Sequence, residues 1–257
     1  MPLWLAGVLI IVVPTLLAMA GTVFVRSRVG LATLRWNNEV AGFKFATIGV
    51  LYAVLLAFAV FVVWSRFSAV ADNTAREAGA AATLYRLIDG IHDEPASALR
   101  ARLTAYLKSA ISQDWPALSE GRDSSATTHA LTDLYDAALT YKPADSREVL
   151  LMEGILSQLD DMGETRRERI ARCNGVVPGV LWLVLFGGAI ITIGFTFFFG
   201  TRSLPAQTAM TGALSLLIFA VLFVIVTVNR PFTGSVSVRP DALVQVLEDL
   251  RGVHPLQ

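Results

Sequence analysis

The chain has 257 residues, 54% hydrophobic and only 16% charged. Soluble domains carry roughly 25% charged residues, so this balance leans towards a membrane. The 21 basic residues offset 21 acidic ones, leaving no bulk positive field to neutralise nucleic-acid phosphates. The single cysteine, Cys173, excludes an intramolecular disulfide and a cysteine-built zinc site; it fits a buried structural thiol within a helical pattern.

Four stretches are long enough to cross a bilayer as helices, which takes about 20 residues. They are Leu3 to Val25, Phe45 to Trp64, Val180 to Phe199 and Gln207 to Val228. None contains Asp, Glu, Lys, Arg or His, which argues against a proton relay or charged ion site at depth. Pro14 predicts a kink in the first stretch, which lacks the basic start of a signal peptide. Trp4, Trp36, Trp64 and Trp182 stand near predicted span ends, where indole rings anchor at the interface. In the third span Gly187, Gly188 and Gly194 predict close helix packing, and Thr192 and Thr196 can bond back to the helix or across it.

A polar insert, about Ser65 to Gly175, separates the second and third spans. Helical periodicity runs out of the second span from Ala69 to Ile91 with no turn residue at the change. Asp93 is the expected cap of the next helix, which has Pro95 in its first turn and Leu99, Leu103, Tyr106 and Ala110 on one face, and stops near Trp115-Pro116. Thr127 to Tyr141 forms a shorter helix. Asp145 to Cys173 forms a long one with an expected seam of Val149, Met152, Leu156 and Leu159. No strand alternation occurs in the insert. After the fourth span, Arg230 sits at the membrane edge, Pro231 to Gly234 make a turn, and Pro240 and Asp241 open a last helix with Leu243, Leu247 and Leu250 on one side. The expected fold is thus an all-α membrane protein in four segments: 1–64 with two membrane helices, 65–175 as the soluble helical insert, 176–229 with two further membrane helices, and 230–257 as turn and helix.

Charge counting leaves orientation open. With both termini inside, the inner flanks hold Arg66, Arg76, Arg166, Arg167, Arg169, Arg172, Arg230, Arg239 and Arg251, and the outer loops Arg26, Arg28, Arg35, Lys44 and Arg202. The insert exceeds the roughly 60 residues over which the positive-inside rule holds, and without it the balance reverses. The cluster "ETRRERIAR", a few residues before the third span, favours termini and insert inside. Arg166, Arg167, Arg169 and Arg172 are the expected contacts to anionic lipid headgroups, with a solvated helix face as the alternative for some of them.

Three stretches carry a family resemblance: "NNEVAGFKFATIGVLYAVLLAF"; the unbroken exit "VVWSRFSAVADNTAREA" ending in Arg76-Glu77-Ala78; and the "NRPFTG" turn with its following helix. "QDWPAL" and "RRERI…VPGVLW" add to it. From about Asn37 to Leu250 the chain resembles the bestrophin-like family of bacterial membrane proteins, distant relatives of the bestrophin anion channels. The resemblance implies a bacterial inner-membrane, multi-pass homo-oligomer, a pentamer in bestrophins. It also implies that the second membrane helix lines a pore for chloride or another small anion and continues into a cytoplasmic helical domain. Bestrophins gated by calcium follow their Pro-Phe-Gly turn with acids; here Thr233 to Val238 supply none, so no calcium clasp is expected at Arg230, Pro231, Phe232 and Gly234.

If the second span lines a pore, helical spacing puts Val54, Phe58 and Val62 towards the axis, with Phe61 and Leu51 flanking, as a hydrophobic neck. The opposite stripe of Ala53, Ala57 and Val60 suits close helix packing. The alternative places Phe58 and Phe61 against lipid or neighbouring helices. His92-Asp93-Glu94 is a helix start before it is a metal site, since no second His stands at ligand spacing; His129 and His254 are isolated. Glu77, next to Arg76, is open to an ion pair or to solvation. No phosphate loop, nucleophile elbow or metal pair points to an enzyme or a cofactor. Two readings follow: an oligomeric anion channel, or a non-conducting scaffold or sensor whose insert binds a partner.

Overall fold

The computed structural model describes residues 3–36, 38–250 and 252, without the side chains of Leu3, Ala32, Trp36, Asp93 and Glu94. The expectations placed on the Trp36 and Asp93 side chains, and on Asn37, Arg251 and His254, lie outside that set. Among the described residues every regular element is helical. In chain order they are α1 (Leu3–Gly7), α2 (Val13–Val29), α3 (Leu31–Trp36), α4 (Asn38–Ile88), α5 (Asp93–Ser109), α6 (Trp115–Ser119), α7 (Ser125–Thr140), α8 (Ser146–Ala171), α9 (Gly179–Thr196), α10 (Leu204–Val228) and α11 (Asp241–Leu250). Five-residue π-turns at Val8–Val12 and Ala110–Asp114 join α1 to α2 and α5 to α6. Four helical stretches are long and apolar enough to cross a membrane: Trp4–Val29, Asn38–Ile88, Gly179–Thr196 and Leu204–Val228.

Both π-turns end two residues before a proline, Pro14 and Pro116. Proline has no N–H to offer the carbonyl four residues back. The backbone widens instead, and the N–H groups of Val13 and Trp115 reach the carbonyls of Val8 and Ala110, five residues back. The kink expected at Pro14 is therefore a π-turn just before it. The helix expected to stop near Trp115-Pro116 instead runs through to Ser119, because Pro116 falls in the first turn of α6, where its missing N–H costs nothing.

The chain divides into two compact units. The first comprises Met1–Ser65, Gly175–Arg230 and Gly234–Val236. Here α10 packs along α2. Tyr52 of α4 is buried and donates its hydroxyl to the Leu185 carbonyl of α9 at 2.8 Å. Its ring lies so close to Gly188 that a Cβ there would sit 2.5 Å away, so glycine is required; nothing crowds Gly187 or Gly194. One end of this unit is pinned by side chains. Asn38 exchanges two 3.0 Å bonds with the Gly200 backbone. Arg26 donates to the Thr201 carbonyl at 2.9 Å and to Gln207 Oε1 at 3.1 Å, and Gln207 donates to the Phe199 carbonyl at 2.5 Å. At the other end Asn229 Oδ1 accepts from the N–H groups of Val176 and Val177 at 3.1 and 3.0 Å.

The second unit comprises Arg66–Asn174, Pro231–Thr233 and Ser237–Gln257. Its core joins Leu84 and Ile88 of α4, Leu99 and Leu103 of α5, Leu134 of α7, Leu159 and Met162 of α8, and Leu243 and Leu247 of α11. Ser124 caps α7 and Asp145 caps α8, accepting from the N–H groups of Thr127 and Glu148. The α5 cap position falls on His92, not Asp93, and its side chain bonds elsewhere. The α8 seam is Met152, Ile155, Leu159 and Met162; Val149 is exposed and Leu156 half-buried, because the helix turns one residue further than expected. Cys173 lies two residues beyond the end of α8, buried among Val70, Leu118, Phe232 and Val238.

Candidate functional site

Helix α4 runs 51 residues without a break. No proline interrupts it, and its glycines, at 42, 49 and 79, are isolated among good helix formers. Within the first unit it buries one stripe, Tyr52, Leu56 and Val63, and leaves another outward. Phe58 and Phe61 are 66% and 68% exposed; Val54, Val62 and Leu51 are exposed beside them. Ala53 and Ala57 are exposed too, and Val60 is half-buried. The segment from Phe45 to Trp64 carries no Asp, Glu, Lys, Arg or His. At the end where α4 begins, Arg28, Arg35, Lys44 and Arg202 are exposed against one acid, Glu39.

In the second unit α4 meets a buried ionic cluster that its sequence only half announced. Glu77, Asp114 and Arg169 have no exposed surface, and Arg166 is 5% exposed. Arg166 grips Asp114 with two bonds, 2.8 Å to Oδ2 and 3.1 Å to Oδ1, and also donates to the Ser124 carbonyl and Thr128. Arg169 Nη2 donates to Asp114 Oδ2 at 3.0 Å; its Nη1 lies 2.9 Å from Glu77 Oε2, out of line for a hydrogen bond. Tyr106 donates its hydroxyl to Glu77 Oε1 at 2.6 Å, and burial followed by the Glu77 charge holds that phenol well above its ordinary pKa. Two cations face two anions, which is how a dry interior tolerates charge at all.

The Arg169 guanidinium also stacks 4.4 Å from the Trp115 ring. Trp115 in turn meets Phe232 edge-on at 5.8 Å and donates Nε1–H to the Val238 carbonyl at 3.0 Å. The 231–238 turn closes on itself through Val238 N–H to the Pro231 carbonyl at 2.7 Å. Pro231 and Phe232 are buried; Gly234 stands at φ +83, where a Cβ would strain the backbone; Arg230 is exposed. Asp114, Trp115 and Tyr106 were not singled out as site residues from sequence, although "QDWPAL" placed two of them side by side.

This geometry corrects the headgroup expectation for two arginines. Arg166 and Arg169 point into the bundle because they extend the α8 seam, three and four residues apart after Met162. Arg167 is exposed, and Arg172 is half-buried and bonded to Glu168 at 2.8 Å.

A second polar knot joins α5 to α8. Glu148 Oε2 accepts from the Tyr141 hydroxyl at 2.5 Å and the Ala144 N–H at 2.7 Å, while Oε1 meets His92 Nδ1. The Ala144 N–H first, then Tyr141 and His92, hold this carboxyl down to about 2. The bond to Glu148 raises His92 and pushes Tyr141 up to about 12. Among the described residues no group of three His, Cys, Asp or Glu is placed to hold a metal ion.

The sequence matches the Bestrophin-like domain over residues 12–243. The chain belongs to the bestrophin-like family. A bacterial bestrophin homologue from Klebsiella pneumoniae shares its fold: one variant of that protein is 16% identical, with a TM-score of 0.67, covering 92% of this chain and 97% of that one. A second structure of the homologue, solved by zinc phasing, is 18% identical with a TM-score of 0.63, covering 94% and 98%. No curated protein matches the sequence. The bestrophin-like chain is thus an all-helical membrane protein with four apolar helices in the bestrophin fold. Its turn after the fourth span is held by an aromatic and ionic stack, and no carboxylate follows that turn before Asp241.

Proposed function

We propose that this bestrophin-like protein is an oligomeric anion channel whose neck is formed by α4, with termini and helical insert on the cytoplasmic side of the bacterial inner membrane. The observation that carries the reading is the outward apolar stripe of Val54, Phe58, Phe61 and Val62 on a helix that leaves the membrane unbroken. Copies arranged around an axis, five in the bestrophin arrangement, would turn that stripe into stacked rings that wet when open and dry when closed. Having no charge inside, such a neck cannot select by a ring of side-chain charge. The excess of exposed Arg28, Arg35, Lys44 and Arg202 over Glu39 at one end supplies a positive potential that concentrates chloride or another small anion there. Arg167 and Arg230 remain as exposed cations suited to lipid headgroups.

The test is conductance in planar bilayers. Intact oligomers pass anion-selective current, and Phe58→Ala, by widening and wetting the neck, raises open probability or unitary current. Silence from intact oligomers overturns the channel in favour of a scaffold or sensor.

A further inference from the structure

Three carboxyl groups among the described residues are buried, those of Glu77, Asp114 and Glu148, all in the second unit. They are unequally served. Asp114 accepts two bonds from Arg166, one from Arg169 Nη2 and one from the Ser124 N–H at 3.2 Å. Glu148 accepts from the Tyr141 hydroxyl and the Ala144 N–H and is met by His92 Nδ1. Glu77 accepts one hydrogen bond, from the Tyr106 hydroxyl to Oε1. Its Oε2 has no hydrogen-bond partner, although Arg169 Nη1 stands 2.9 Å away; Nη1 and Nε of Arg169 have none either. A carboxylate buried with so few bonds to its charge is held in the costlier of its two forms.

The groups that face Glu77 come from three elements: Tyr106 from α5, Asp114 from the π-turn after it, and Arg166 and Arg169 from α8. Burial is the largest influence and raises the Glu77 carboxyl; the Arg169 charge and the Tyr106 bond pull it back, the Asp114 charge raises it further, and Arg166 lowers it. Tyr106 occupies Oε1, so Oε2 is the atom open to a proton. A proton taken from water onto Oε2 leaves the Tyr106 bond in place. It also turns an acceptor into a donor opposite Arg169 Nη1, and two donors do not stay 2.9 Å apart. Arg169 keeps Asp114 through Nη2, and its guanidinium lies 4.4 Å from the Trp115 ring, so its displacement is felt there.

We infer that Glu77 is a proton-sensing residue of the helical insert: its protonation breaks the Glu77–Arg169 pair, removes an ionic link between α4 and α8, and shifts Arg169 against Trp115. The change is confined to the second unit and depends on no conducted ion, so it stands apart from the channel reading.

The experiment uses the full chain in mild detergent, its tryptophans replaced by 5-fluorotryptophan and followed by fluorine NMR from about pH 4 to 9, the span over which buried glutamates titrate. The Trp115 resonance is the one missing from Trp115→Phe. In the wild type it moves in a single step whose midpoint lies above the ordinary glutamate value of about 4.3. Glu77→Gln, which keeps the shape and cannot ionise, holds that resonance at its acid-end position throughout, and Glu148→Gln keeps the step. Tyr106→Phe removes the one hydrogen bond to the carboxylate and raises the midpoint by about one pH unit, the worth of a bond to a charged group; this variant carries the test should Glu77→Gln fail to fold. A Trp115 resonance that does not move in the wild type, a step that survives in Glu77→Gln or is lost in Glu148→Gln, or a midpoint unmoved by Tyr106→Phe overturns the proposal.

Discussion

At the scale of single residues, the decisive side chains are the ones buried with charge. Removing one partner from the cluster leaves the others charged in a dry interior, which costs about 3–5 kcal/mol. Asp114→Ala strands Arg166, leaves Arg169 with Glu77 alone, and is expected to fall in that range by thermal melting in detergent. Arg169→Lys keeps the charge but loses the planar head that reaches Asp114 and Glu77 at once and the stack on Trp115, so it too should destabilise clearly. Exposed Arg167→Ala should change little. The pairing was partly legible. Arg166 and Arg169 continue the spacing of Leu159 and Met162, and a seam followed one turn further would have placed them inside. What masked it was density of charge: four arginines in seven residues look like a surface, and only their distant partners, Asp114 and Glu77, decide which two are not.

The Glu148 knot belongs to the same scale and gives a pH dependence. Its carboxyl is depressed to about 2 from an unfolded value of about 4.3, so its stabilising contribution is present above the higher value and lost as pH falls through the lower. His92 runs the other way. Its raised pKa contributes below the ordinary value of about 6.5 and is lost as pH rises through the raised one. The knot is therefore firmest between about pH 4.3 and 6.5. Glu148→Gln should melt earlier than wild type in that window, and lose less stability between roughly pH 4 and 2.

Among whole elements, α4 was the most legible. Its apolar stretch and its amphipathic stretch share one period, and nothing between Asn38 and Ile88 stops a helix. Proline at position 69 would remove an interior N–H bond and collide with the carbonyl of Ser65, costing about 3 kcal/mol or more. Ala69→Gly should cost only about 1 kcal/mol. Melting of the two variants in detergent checks the ratio, and conductance checks whether the proposed neck depends on the intact rod. The π-turns were illegible for a physical reason. A widened turn has no residue preference of its own, and both are read only from the proline two places later, which sequence reasoning spends on a kink or a stop. The Pro231 to Gly234 turn was readable from its residues; its docking on Trp115 was not, because that contact joins positions more than a hundred residues apart.

For the whole molecule, the four long apolar helices and the helical class were legible because a bilayer imposes one requirement, about 20 uncharged residues with their backbone bonds satisfied internally. The small residues of α4 were read as a surface for a partner helix. How far α10 stands from α4 beside them is a distance no one-dimensional pattern encodes.

Cys173 gives this protein a native probe of its own integrity. It is the sole sulfhydryl in the chain, enclosed by Val70, Leu118, Phe232 and Val238, and its burial raises its pKa and blunts its reactivity. Alkylation by a maleimide then proceeds only as fast as Phe232 and its neighbours part. Labelling should accelerate several-fold in Trp115→Ala, which loosens the turn, and stay at the wild-type rate in Phe58→Ala. A single adduct counted against time would register, without any introduced tag, how often the loop after the last apolar helix lets go.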